Sequence, residues 1–138
     1  MNWANFWSAI SAISTAITAL VAIVAIFRWR KQDELKAKMA FKVAIADYSF
    51  ALLQLPEKLD RPEQYQNNEE GIRNLRDKYT ACTQSWLVSE NLMSKNKNVQ
   101  ENWFFIFSNH KNYLKGSIER KVLGACCVSI LNEHFVFK

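Results

Sequence analysis

The hydrophobic pattern divides the chain in two. From Met1 to Phe27 there is no charged side chain, and all 18 Lys and Arg lie from Arg28 onward. At ~1.5 Å per residue this stretch reaches across a hydrocarbon core of ~30 Å, where backbone groups can be satisfied only as a helix. The pattern predicts a transmembrane anchor over residues 1–28. A secretory signal would place basic residues ahead of a shorter apolar run, whereas here Arg28, Arg30 and Lys31 follow a long one. The charges therefore read as a stop, and the segment as retained.

Two stripes run along the span. Ala4, Ser8, Ser11, Thr15, Thr18, Ala22 and Ala25 recur in alternating steps of four and three, and so do Phe6, Ile10, Ile13, Ile17, Leu20, Val24 and Phe27 on another face. Small residues let helix backbones approach closely in lipid, and a period of 3.5 favours left-handed packing. Ser8, Ser11, Thr15, Thr18 and Ala22 are therefore expected to mediate self-association in a homo-oligomer. Hydroxyls bonded back to their own helix are the second reading, and a hydroxyl-lined pore the third. The span holds no ionisable residue, which excludes a proton relay or charged filter within it.

Beyond Phe27 the pattern changes to that of amphipathic helices. No Gly, Pro or Asn interrupts residues 28–54, so the first cytoplasmic helix is expected to continue the transmembrane one, with Leu35, Met39, Val43, Ala46, Phe50 and Leu53 as its core stripe and Pro56 as its end. A polar loop over 58–68 follows. Asn67 with Glu70 is expected to open a second helix bearing Ile72, Leu75, Tyr79, Cys82, Trp86 and Met93 on one face, broken at 94–98. Asn98 with Glu101 opens a third, closed by Gly116, and Ser117 a fourth running toward Phe135. Trp103 to Phe107 and Phe135 to Phe137 are apolar and β-prone, which leaves a strand as the alternative there. The fold expected is all-α: an anchor, then a small helical domain of about four helices over 29–138.

Charge settles orientation in this reading. Residues 28–42 carry six basic and two acidic side chains, most of the chain's net +5. Short flanks rich in Lys and Arg stay in the cytoplasm, placing the N-terminus outside and the domain inside an inner membrane. Trp3, Phe6 and Trp7 then sit at the outer interface, and Phe27 and Trp29 at the inner one. Arg28, Arg30, Lys31, Lys36 and Lys38 are candidate contacts to anionic headgroups. The remaining chain is nearly neutral, which disfavours nucleic acid as a partner.

The chemical motifs exclude more than they suggest. Three scattered glycines make neither a phosphate loop nor a dinucleotide fingerprint. His110 and His134 lack both the H-E-x-x-H zinc spacing and the upstream Arg of HEPN-type ribonucleases. Cys82, Cys126 and Cys127 show no metal-ligand spacing and read as small buried hydrophobes in a reducing compartment. Neither cofactor nor metal is expected, nor an enzyme. Trp103, Phe104, Phe107 and His110 are either core or a patch for an unknown cytoplasmic protein or small-molecule signal.

The segment Asn5 to Ile13 (NFWSAISAI), within a span followed at once by basic residues, resembles short, N-terminally anchored bacterial membrane proteins of unknown function. That group includes membrane effectors of antiviral defence systems. The resemblance covers about the first 35 residues. It implies a cytoplasmic domain that senses a signal and a span that then disturbs the membrane.

Overall fold

The computed structural model describes residues 2–89 and 92–135. Five helices follow in order: α1 (Trp3–Leu53), α2 (Pro62–Asn67), α3 (Glu69–Val88), α4 (Lys97–Leu114) and α5 (Arg120–Leu131). Among the described residues there is no strand. The tail from 136 onward, part of the β-prone alternative, lies outside the described residues, and Trp103 to Phe107 are helical within α4. The chain divides into two compact units, Met1–Glu34 and Leu35–Lys138.

In the first unit the apolar stretch of α1 is long and apolar enough to cross a membrane. No protein covers it. Thr15 and Thr18 donate their hydroxyls to the carbonyls of Ser11 and Ser14, each at 2.9 Å.

In the second unit the core forms where α1, α3, α4 and α5 meet. Its members from α1 are Phe41, Ala44, Ile45, Tyr48, Ala51 and Leu52. This corrects the expected stripe: Val43 is 57% exposed, Phe50 66% and Leu53 62%, with Met39 and Ala46 also outward and Leu35 half-buried. The physical reason is that α1 is apolar on two faces with the same 4-3 spacing, and periodicity cannot say which one the domain covers. The covered face carries small Ala44 and Ala51 among large residues, which lets aromatic neighbours close in. Phe41 meets Trp103 edge to face at 5.4 Å and Trp86 at 5.3 Å.

Helix boundaries follow local chemistry. The expected loop over 58–68 contains α2, because Pro62 presets the first-turn φ and has no N–H to leave unbonded. The start of α4 lies earlier than expected: Asn96 caps it, its side chain accepting from the Val99 amide at 3.2 Å. Asn98 instead donates to Glu133 at 2.8 Å. Helix α3 opens at Asn68 rather than Asn67 and lacks a side-chain cap. Met93, expected on its face, is buried beyond its end. Gly116 closes α4 as expected, with φ of 73°. A Cβ there would collide with the carbonyl oxygen of Leu59 and come within 2.8 Å of the Asp60 Cα.

Ser117 does not cap α5; the helix starts at Arg120 and stops at Leu131, short of Phe135. Its amino end is satisfied from across the domain. Arg120 N donates to Glu57 O at 2.7 Å, and Lys121 N to the Glu57 carboxylate at 3.2 Å. The Arg120 guanidinium in return donates to the last carbonyl of α1, Leu53 O, at 3.1 Å and to Leu55 O just beyond it at 2.7 Å, and pairs with Glu57 at 3.1 Å. The carboxyl end of α1 and the amino end of α5 thus supply each other's missing partners.

Candidate interaction and ligand surfaces

The aromatic segment expected as either core or patch is split by helix geometry. Trp103 and His110 point inward and are buried; Phe104 and Phe107, at 49% and 47%, are largely exposed. Phe105 joins them at the surface, so α4 covers the core with one face and presents phenyl rings with another.

His110 is held by two tyrosines. Its Nδ1 lies 3.0 Å from the buried Tyr48 hydroxyl, and the Tyr79 ring stacks on it at 4.0 Å with an interplanar angle of 5°. Burial, with smaller contributions from Arg76 and Lys111, holds the imidazole down at about 4. It is therefore neutral at physiological pH. The same burial keeps the Tyr48 phenol protonated, far above its usual range. The pair is a structural hydrogen bond between α1 and α4.

The cysteines are free thiols. Burial pushes Cys82 and Cys127 up to about 12 and also raises Cys126. Such thiols pack as apolar groups and are poor nucleophiles. Among the described residues no group of three or more His, Cys, Asp or Glu could hold a metal ion.

Beside His110 opens a cleft of about 470 Å³ between α3 and α4, lined by Tyr65, Arg76, Tyr79, Thr80, Lys111 and Lys115 among others. Three of these are cations and none is an acid. Arg76 is oriented by donating to the Tyr65 hydroxyl at 2.7 Å. An apolar floor under three positive charges suits a small organic anion. Of this cleft the sequence pattern singled out His110, not Arg76 or Lys115. The i, i+4 spacing of Lys111 and Lys115 was the available signal, whereas Arg76 joins them only through the packing of α3 on α4.

The candidate headgroup residues all lie on α1. Arg28, Arg30, Lys31 and Lys36 are exposed. Lys38 is half-buried and lines a second cleft, of about 420 Å³, with Lys95, Lys97 and His134. Of the span's small residues, Ser11, Thr15, Thr18 and Ala22 share one shallow groove on the helix surface, while Ser8 precedes it.

In the second unit the outward face of α1 is uncovered and apolar, with Val43, Phe50 and Leu53 standing clear of the domain. No family model, curated protein or solved structure matches this chain.

Proposed function

We propose that this protein is a single-pass inner-membrane protein, N-terminus outside, whose cytoplasmic helical domain works as a homo-oligomeric, non-enzymatic interaction or regulatory module. The observation that carries this reading is the outward apolar face of α1. A helix packed on one domain normally turns polar residues to water, and Val43, Phe50 and Leu53 at this position instead offer a surface to another protein. The polar contacts support the same reading, because they hold the fold together: Tyr48 to His110, Tyr113 to the Pro56 carbonyl at 2.7 Å, and Arg120 to the Leu53 carbonyl of α1. Arg28, Arg30 and Lys31 hold the domain at anionic headgroups and set its side of the bilayer.

The test of placement is a reporter active only in the cytoplasm, fused after Lys138. It is expected to be active; activity of a periplasm-dependent reporter there would refute the orientation. The test of the module is co-purification from membranes, in which Phe50→Asp is expected to lose a protein that the unmodified chain, itself included, retains.

A second reading, a signal-activated effector that perturbs the membrane, is favoured by the cationic cleft at Arg76, Lys111 and Lys115, a place for an anionic signal. In that case expression with the trigger present causes dye uptake, and changing Ser8, Ser11, Thr15 and Thr18 together to Ala abolishes it while sparing oligomers. Dye uptake at background under every condition removes this reading.

A further inference from the structure

Met39, Val43, Ala46, Phe50 and Leu53 are spaced four, three, four and three, the repeat of a coiled-coil seam. They lie on the outward face of α1, opposite the Phe41, Ile45, Tyr48 and Leu52 that the domain buries. Counted backward along the sequence in the same steps, the series continues through Lys36, Gln32 and Trp29 to Ala25, Ala22, Thr18, Thr15, Ser11 and Ser8 without a slip. A straight α-helix drifts ~20° per heptad from a strict seven-residue repeat. A repeat kept in phase from small residues in the span to apolar residues in the domain suits helices that wind around a partner with the same repeat.

The flanking charges identify that partner. With Val43 and Phe50 at a and Met39, Ala46 and Leu53 at d, the g positions are Arg28, Leu35, Lys42 and Ser49, and the e positions Asp33, Ala40, Asp47 and Gln54. In a parallel, in-register pair each g residue faces the e residue five places later on the other chain. Arg28 then meets Asp33, Lys42 meets Asp47, and the remaining pairs are uncharged. An antiparallel pair would set g against g and e against e, bringing like charges together. Within one protomer Lys42 donates to Glu133 O at 2.7 Å and Asp47 lies 3.6 Å from Lys78, yet the Asp47 side chain stays 54% exposed and available to a second cation. Val43 at a and Leu53 at d are of the types that favour two strands, and a polar residue such as Lys36 at a fixes register at some cost in stability.

We propose that a second copy of this chain docks in parallel on the outward face of α1, with Met39 to Leu53 as its seam outside the lipid. Copies anchored in one membrane share orientation, and confinement raises their effective concentration, so even two apolar heptads suffice to hold them. The inference rests on the homo-oligomeric reading above, narrows it to two strands and gives it an interface in the domain.

The experiment is disulfide trapping of the full chain in its membrane, with Val43→Cys, Leu53→Cys and, as a surface control on α3, Arg73→Cys. Parallel register places each seam position opposite itself, so the first two single variants are expected to form crosslinked dimers well above the control and the unmodified chain. Phe50→Asp, which leaves the core untouched, is expected to weaken association by about tenfold or more, since it sets a carboxylate against its copy at the seam. Dimers that persist without trapping at 43 or 53 overturn the seam and leave association to the span. Trapping only between 43 and 53 in mixed variants overturns the parallel arrangement. A monomer throughout, in vesicles as in detergent, overturns both the seam and the oligomeric reading beneath it.

Discussion

Two stripes on one helix, equal in spacing and similar in apolar content, have opposite fates. Phe41, Ile45, Tyr48 and Leu52 are sealed in the domain core, while Met39, Val43, Phe50 and Leu53 face outward. What distinguishes them is the company they keep. The buried stripe is flanked by Ala44 and Ala51, which admit the rings of α3 and α4, and it carries the one hydroxyl that reaches His110. The outward stripe is flanked by Asp47 and Lys42, charges that frame an apolar seam without closing it. Hydrophobic spacing alone does not report which face the domain buries; the neighbouring residues do.

The sharpest way to break this comparison is to truncate one ring on each face. Phe41→Ala removes a side chain wedged between Trp86 and Trp103 and is expected to destabilise the domain by about 3–5 kcal/mol, as buried aromatic truncations do. Loss measured by thermal melting of the full chain in detergent, below about 1 kcal/mol, would mean that the two faces are not distinct in the way described.

Next in size is a dependence on pH that only the buried face has. His110 is held at about 4 when folded and titrates near 6.5 when unfolded. The unfolded chain therefore binds more protons between those values. The stability due to keeping this group neutral is complete above pH 6.5 and is lost progressively as pH falls toward 4, a change on the order of 2–3 kcal/mol. His110→Gln should flatten that slope in melting curves taken across the range; an unchanged slope would assign the acid sensitivity elsewhere.

Gly116→Ala should cost about 1–3 kcal/mol, because the backbone there is left-handed and the added Cβ meets the Leu59 carbonyl. The smallest effect belongs to the outward face. Phe50→Ala in detergent dilute enough to separate the chains is expected to change stability by no more than about 0.5 kcal/mol. A large loss under those conditions would show that the ring supports its own domain.

The long apolar helix, the all-α class and the glycine that ends α4 were legible because each rests on a local property: an uncharged run, few turn-formers, a residue tolerant of positive φ. The core face of α1 was not, since two stripes of equal period compete and only the tertiary partners choose. Asn96 was passed over as a cap in favour of Asn98, whose side chain is drawn off by Glu133 from another part of the chain. The cationic cleft was legible only in part for the same reason: Arg76 and Lys115 are distant in sequence and meet through packing. Glu57 and Arg120 illustrate the limit best, as each completes a helix end more than sixty residues away.

That exchange between Glu57 and Arg120 sets an order on biogenesis. The chain leaves the ribosome from its amino end, so α1 is complete while α4 and α5 are still unmade. Until Arg120 emerges, the Leu53 carbonyl at the end of α1 lacks its donor and the Phe41 to Leu52 face lacks its full cover. A nascent chain stalled before α5 would therefore present an open apolar groove, a ready target for proteases.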